Sequence, residues 1–391
     1  MNRPHNYLKQ ILLYCSKWCG LLSLARHFTR KGLRILCYHG MALEDESVFR
    51  PTLFINRQTF QQRLAYLRAS AYPVITLEEA LQRLERGGLP NSATVITIDD
   101  GFYSTYNPTC VLLHQYSFPA TVYVTSYYSV KENPVFRLVV QYMFWKTKKT
   151  VLDLSGVLPS IGGRISLRDP QDKDQGMWKV IRFGEEDCTE ERRVELARIL
   201  GEHLDVDFEQ VRQSRIFDIM NSREIQNAAL QGIDIQLHTH RHCLPRNEIQ
   251  SKREIVDNKA VLEPLVGKIL EHFCYPSGIW EQAHWPWLMA LGIKSATTCD
   301  IGLNYPGTPL LGLKRILDGE HISQIEFEAE MAGYGDFLRW ARGRIRRMLA
   351  PWSGYLSGLW RRLRRRNLGL SALAEEKQIR SPVGSYLRTH D

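Results

Sequence analysis

The chain has 391 residues, 44% of them hydrophobic, and its 51 basic and 42 acidic side chains leave a net charge of +9. This length and balance exclude a small disulfide-stapled domain and a disordered polymer, and they suit one large α/β barrel with extensions. The eight cysteines form no CxxC pair, which argues against a cysteine-held zinc and for a reducing compartment.

From the N-terminus, residues 8-28 are apolar but interrupted by Lys9, Gln10, Ser16 and Lys17. No uncharged run reaches the roughly 20 residues that cross a bilayer, and no clean apolar stretch precedes a small-residue cleavage site. Segment 1-33 therefore reads as an amphipathic helix, packed on the domain or lying on a membrane surface.

Short β-branched runs then alternate with amphipathic stretches of helical period, the pattern of βα units and a parallel sheet. Strands are expected at 34-39, 73-77, 93-99, 120-125, 234-239, 272-276, 295-299 and 311-316, with helices at 57-69, 78-87, 190-203, 222-231, 251-267, 281-291 and 322-332. The segment from 128 to 189, with stretches such as LSGVLPSIGGR, reads as irregular and interrupts the rhythm. Such a length inside a compact domain points to an inserted subdomain, drawn here as 128-210.

His39, Asp99, Asp100, His238, His242 and Tyr275 all fall at or just past the C-terminal ends of expected strands, the edge where parallel α/β folds build their sites. Adjacent buried carboxylates at 99 and 100 need a compensating cation or donors. IQLHTHRHCLP at 235-245 offers imidazoles: a turn puts His238 and His242 on one face, whereas an extended chain adds His240. One carboxylate with two imidazoles is an open site for zinc and similar divalent ions. A single histidine at a strand end is usually a loop residue, and a DDG turn can merely cap a helix, but the two features together favour a metal site.

These residues resemble the polysaccharide deacetylases of the NodB-homology type. Their T-F-D-D-G motif is met as Thr97-Ile98-Asp99-Asp100-Gly101, and their H-[ST]-x-x-H motif as His238-Thr239-His240-Arg241-His242. The resemblance runs from about Arg34 to Tyr334. It implies Asp99 as general base, Asp100, His238 and His242 as ligands of a divalent metal, most often zinc, and Thr239 as a hydrogen bonder within its loop. It also implies hydrolysis of an N-acyl, typically N-acetyl, group on an amino sugar of a polysaccharide or lipid-linked precursor.

Two departures stand out. The third motif, R-P-P-[YF]-G, is replaced by Cys274-Tyr275-Pro276-Ser277-Gly278, so the arginine that holds the base is missing and Arg315 is the candidate replacement. The late Leu-x-His motif is absent, and Tyr38-His39 resembles the arrangement of members with a Tyr-His at the first strand, which makes His39 the expected acid. Tyr275 and Ser277 are the candidates for the substrate and oxyanion contacts. The fold class is then α/β, a distorted (β/α) barrel of about seven parallel strands over 34-335. The alternative is a binding or scaffold protein on that fold that has lost turnover.

Ten arginines and no acidic residue lie between Arg339 and Arg366, interleaved with Trp340, Trp352, Tyr355 and Trp360, and removing those charges leaves the rest of the chain at −1. This segment, 336-391, suits an anionic membrane surface. A merely solvated or disordered basic tail is the bland alternative, and nucleic acid or another acidic partner is the weakest reading, since no recognised binding module accompanies the run. The expected location is the cytoplasm, peripheral on the cytoplasmic membrane face.

Overall fold

The computed structural model describes residues 4-155, 163-342 and 344. It divides into a unit Met1–Phe337 and a second unit Leu338–Asp391. In the second, residues 338-342 are helical and the Arg344 guanidinium lies 5.3 Å from the Trp340 ring. The rest of the arginine-rich segment, and the loop 156-162, lie outside the described residues.

The first unit is built on seven parallel strands, β1 (Arg34–Tyr38), β2 (Thr94–Ile98), β3 (Thr121–Val124), β4 (Asp234–Leu237), β5 (His272–Cys274), β6 (Ser295–Ile301) and β7 (Leu313–Leu317), closed into a barrel. Each strand pairs with its neighbours in sequence, and β7 closes on β1 with Leu36 opposite Ile316. The β-branched runs of β1, β2 and β3 are buried along their whole length, as strands covered on both faces must be.

Alternation sorts their side chains. Leu36, Tyr38, Ile96, Ile98, Val122 and Val124 join the large core beneath the helices. Ile35, Val95, Tyr123, Cys274 and Leu313 form a second buried cluster on the other face. The same two-residue period that carries Val95 onto that face carries Thr97 and Asp99 there also.

Expected strand 73-77 is corrected. Val74 makes one bridge to Thr94, but Thr76 turns its hydroxyl to the Glu79 amide and caps a helix at Leu77–Arg86. The N-cap bond wins over β-propensity once Leu77, Ala80, Leu81 and Leu84 can share a buried face.

The segment from 128 to 189 is also corrected: it is largely helical, with helices Phe136–Lys146 and Pro170–Asp187 and an antiparallel pair, Val151–Asp153 with Arg164–Ser166. Phe136–Lys146 is buried on nearly every side, which erases the amphipathic period. Gly176 and Gly184 do not break the second helix. They are points of close approach, where a Cβ would come within 2.4 Å of Ile165 and 2.2 Å of Phe136.

Candidate active site

Asp99 and Asp100 follow β2 at the C-terminal mouth of the barrel. The Asp99 amide donates to Tyr38 O at 2.8 Å, extending the β1–β2 ladder by one residue. At Asp100 the backbone turns left-handed, φ 65°, and at Gly101 φ is 78°, where a Cβ would meet Val124 at 3.0 Å. Two carboxylates therefore leave in different directions. Thr239, His242 and Ser277 at the same mouth also hold positive φ, 63°, 54° and 55°, backbone conformations that cost energy and collect at functional sites.

Asp99 is gripped by Arg315 of β7. Arg315 Nη1 donates to Oδ1 and Nη2 to Oδ2, each at 2.7 Å, while Nε donates to Thr298 O. The Cys37 and Cys274 thiols lie at 3.5 and 3.4 Å from Oδ2. Burial alone would raise the Asp99 carboxyl, but the bidentate guanidinium overrides it and holds the group below the ordinary carboxylate range. Arg315 is itself fully buried. A third-motif arginine would come from position 274; here it comes from two strands further on, and a thiol takes the vacated place.

Asp100 has no such partner. Its Oδ1 lies 3.3 Å from His238 Nε2 and 3.2 Å from His242 Nε2, and it makes no hydrogen bond among the described residues. His238 Nδ1 is 2.8 Å from Cys274 O, and a carbonyl only accepts, so Nδ1 carries a proton; in the neutral ring Nε2 then turns a lone pair toward Asp100. In that neutral form lone pairs of a carboxylate and an imidazole face each other across a buried gap, which a second proton on Nε2 or a cation would relieve. The ligand atoms of Asp100, His238 and His242 lie within 4.8 Å of one another, so these residues could hold a metal ion. Burial opposes charge on His238, yet the two aspartates outweigh it and raise its pKa, a sign that the cluster draws positive charge.

His240 turns away. Its Nδ1 is 2.9 Å from Ser126 Oγ and its amide donates to Glu254 O. Thr239 accepts the Cys243 amide on its hydroxyl at 3.1 Å, within its loop. His39 sits with Nε2 3.8 Å from Asp99 Oδ2, and its Nδ1 is buried without a hydrogen-bond partner among the described residues. Burial pushes the His39 imidazole down, and Asp99 and Asp100 do not fully restore it.

The loop after β5 needs a correction. Tyr275 donates its amide to Thr297 O and its hydroxyl to Leu311 O, so neither donor is free for an oxyanion. Its ring stacks on Trp280, which stacks in turn on Trp285. Ser277 is exposed at the turn of the same loop.

Several positioning residues carry no sequence signal. Asn258, on the helix Glu248–Val266, accepts the His238 amide at 3.0 Å and donates to Val124 O and Ser126 Oγ. Glu254, one turn earlier, holds the Arg241 amide and guanidinium. Asp318, just past β7, joins the Tyr38 hydroxyl to Arg63. The chain just past the insertion returns to the DDG turn: Tyr103 N donates to Asp218 O and Met220 N to Gly101 O, with Arg215 over the Tyr103 ring at 3.8 Å.

With this geometry in view, the chain can be set beside known proteins. The Streptococcus pyogenes deacetylase PplD, solved with acetate, shares the fold with a TM-score of 0.50 and 17% identity, over 77% of this chain and 98% of that one. IcaB from Ammonifex degensii aligns at TM-score 0.48 and 18% identity, over 78% of this chain and 97% of that one. The chain resembles the polysaccharide deacetylases. Among curated proteins, the poly-beta-1,6-N-acetyl-D-glucosamine N-deacetylase of Escherichia coli strain K12 is 28% identical over 91 residues, 23% of this chain and 13% of that relative's length. No family model matches the chain.

Proposed function

We propose that this protein is a metal-dependent hydrolase that removes an N-acetyl group from an amino sugar of a polysaccharide or lipid-linked glycan precursor. The observation that carries the reading is the convergence of Asp100, His238 and His242 on one point beside a buried Asp99 already neutralised by Arg315. The donor set, one carboxylate oxygen and two imidazole nitrogens, fits zinc with positions left for water and substrate. When bound, such an ion supplies Lewis acidity to the amide carbonyl and to water.

The chain's own groups divide the proton work. Asp99, held in place by Arg315, takes the proton of the attacking water. His39 starts neutral, because burial depresses its pKa. It is loaded across the 3.8 Å gap from Asp99 and hands the proton to the departing amine nitrogen. Breakdown of the tetrahedral adduct then frees acetate and the amino sugar. With Tyr275 committed elsewhere, Ser277 is the remaining candidate on the β5 loop to meet the oxyanion.

The lack of an arginine at 274 would favour a binding protein without turnover, and Arg315 on both oxygens of Asp99 weighs against that alternative. Incubating the zinc-loaded protein with N-acetylglucosamine oligomers and lipid-linked sugars, followed by mass spectrometry and acetate assay, tests the reading. Loss of an acetyl mass with matching acetate is expected, while binding without mass change would favour the second reading.

A cytoplasmic place on the membrane face belongs to the same proposal. It is supported by the ten arginines between 339 and 366 and by the aromatics among them.

A further inference from the structure

The N-terminal helix Pro4–Trp18 packs on the domain by its polar side. Lys9 pairs with Glu326 at 2.7 Å, Lys17 with Glu328 at 2.5 Å, and Ser16 Oγ meets the Tyr334 hydroxyl at 3.0 Å. Leu13 is the apolar residue on that side, buried with Leu22 of the next helix, Leu21–Thr29, against Ile325, Ala329 and Ala332.

The apolar side faces out. Tyr7, Leu8, Ile11, Leu12, Tyr14 and Trp18 are 48–88% exposed. At about 100° per residue they share an arc of roughly 160°, with Lys9, Ser16 and Lys17 outside it. A helix that only covered its domain would be oriented the other way. The second helix repeats the arrangement: Leu22 and Ala25 are buried, while Leu21, Leu24 and Phe28 are exposed. No helix among the described residues is long and apolar enough to cross a membrane.

Charge identifies the occupant. Residues 1-33 contain Arg3, Lys9, Lys17, Arg26, Arg30 and Lys31 and no acidic residue. Phe28 stacks on Phe337 with ring centroids 5.7 Å apart, and the chain continues from Phe337 into the arginine-rich run. An exposed apolar arc ending in a tryptophan, within an all-basic segment, matches a helix seated at the headgroup level of an anionic bilayer.

We infer that the pair of helices 4-18 and 21-29 is an interfacial anchor, its outward face entering an anionic lipid surface while its polar side holds the domain. The anchor is independent of the reaction assigned to the barrel, and its apolar arc lies wholly within residues 4-29.

The test is co-sedimentation of the full chain with phosphatidylcholine vesicles with and without phosphatidylglycerol, at low salt and at about 0.5 M salt, where arginine attraction is screened and apolar insertion is not. The wild type is expected to stay on the anionic vesicles at high salt. The triple variant Leu8→Glu, Ile11→Glu, Leu12→Glu, folded by circular dichroism, should partition at least tenfold less. Quenching by brominated lipid, read as the difference between wild type and Trp18→Phe, should place Trp18 in the acyl boundary. Equal partitioning of wild type and triple variant would overturn the inference. So would a dimer that the triple variant converts to monomer with vesicle binding unchanged, which would make a second copy the occupant.

Discussion

Arg315 closes both carboxylate oxygens of Asp99 at 2.7 Å from a strand two places round the barrel, beside a cysteine that stands where the related motif has arginine. The charge pair is buried, and the guanidinium fork keeps the base from rotating. Arg315→Met should therefore lower kcat by about a hundredfold or more and cost roughly 3–5 kcal/mol of stability, since it strands a buried carboxylate. Arg315→Lys should recover part of the stability and little of the rate, because an ammonium cannot bridge both oxygens. Chemical denaturation and steady-state kinetics on the two variants check this.

Base and ligands should separate on substitution. Asp99→Asn is expected to abolish turnover with metal still bound, whereas Asp100→Asn, His238→Ala and His242→Ala should lose metal as well as rate. His240→Ala should keep both, because its ring is engaged with Ser126. Metal analysis after dialysis distinguishes the sets, and equal metal in wild type and Asp100→Asn would remove Asp100 from the ligands.

His39 sets the acid limb of the pH profile. Burial places its pKa below the ordinary 6.5, and a cation at the neighbouring cluster would lower it further, so the neutral form prevails above that pH. Rate should fall as pH drops through the depressed value and not before. His39→Ala should keep its metal and lose roughly 10²–10⁴-fold on an amide, the usual worth of a positioned proton donor. An activated aryl ester, whose leaving oxygen scarcely needs a proton, should be much less affected; equal loss on both substrates would deny His39 the role of acid.

Asn258 should behave as a positioning residue. It joins the His238 amide to Val124 and Ser126, so Asn258→Ala should weaken metal affinity about 10–100-fold. Calorimetric titration with zinc, with a fold check by circular dichroism, measures this.

Much of the barrel was legible because strands such as β1, β2 and β3 are buried along their whole length and so read as largely apolar runs. The site was legible where chemistry is rare in sequence, as with Asp99-Asp100 after one strand and two histidines after another. Other features were hidden for definite reasons. Thr76 turned an expected strand into a helix through one capping bond, and the helix Pro170–Asp187 was hidden within a segment whose glycine-containing stretches read as irregular. Asn258 and Asp318 are ordinary polar residues made important only by what the fold brings to them. Tyr275 shows the converse, a residue at the right sequence position whose donors the barrel has already used.

The most direct measurement follows acetate and sugar mass together when zinc-loaded wild type and Asp100→Asn protein meet N-acetylglucosamine oligomers and lipid-linked N-acetyl sugars. Wild type should release acetate in step with the loss of acetyl mass from one of these substrates, and Asp100→Asn, depleted of zinc, should release none. A wild-type protein that holds stoichiometric zinc and binds these sugars, yet leaves every acetyl group in place, would contradict the assignment of this barrel as a deacetylase.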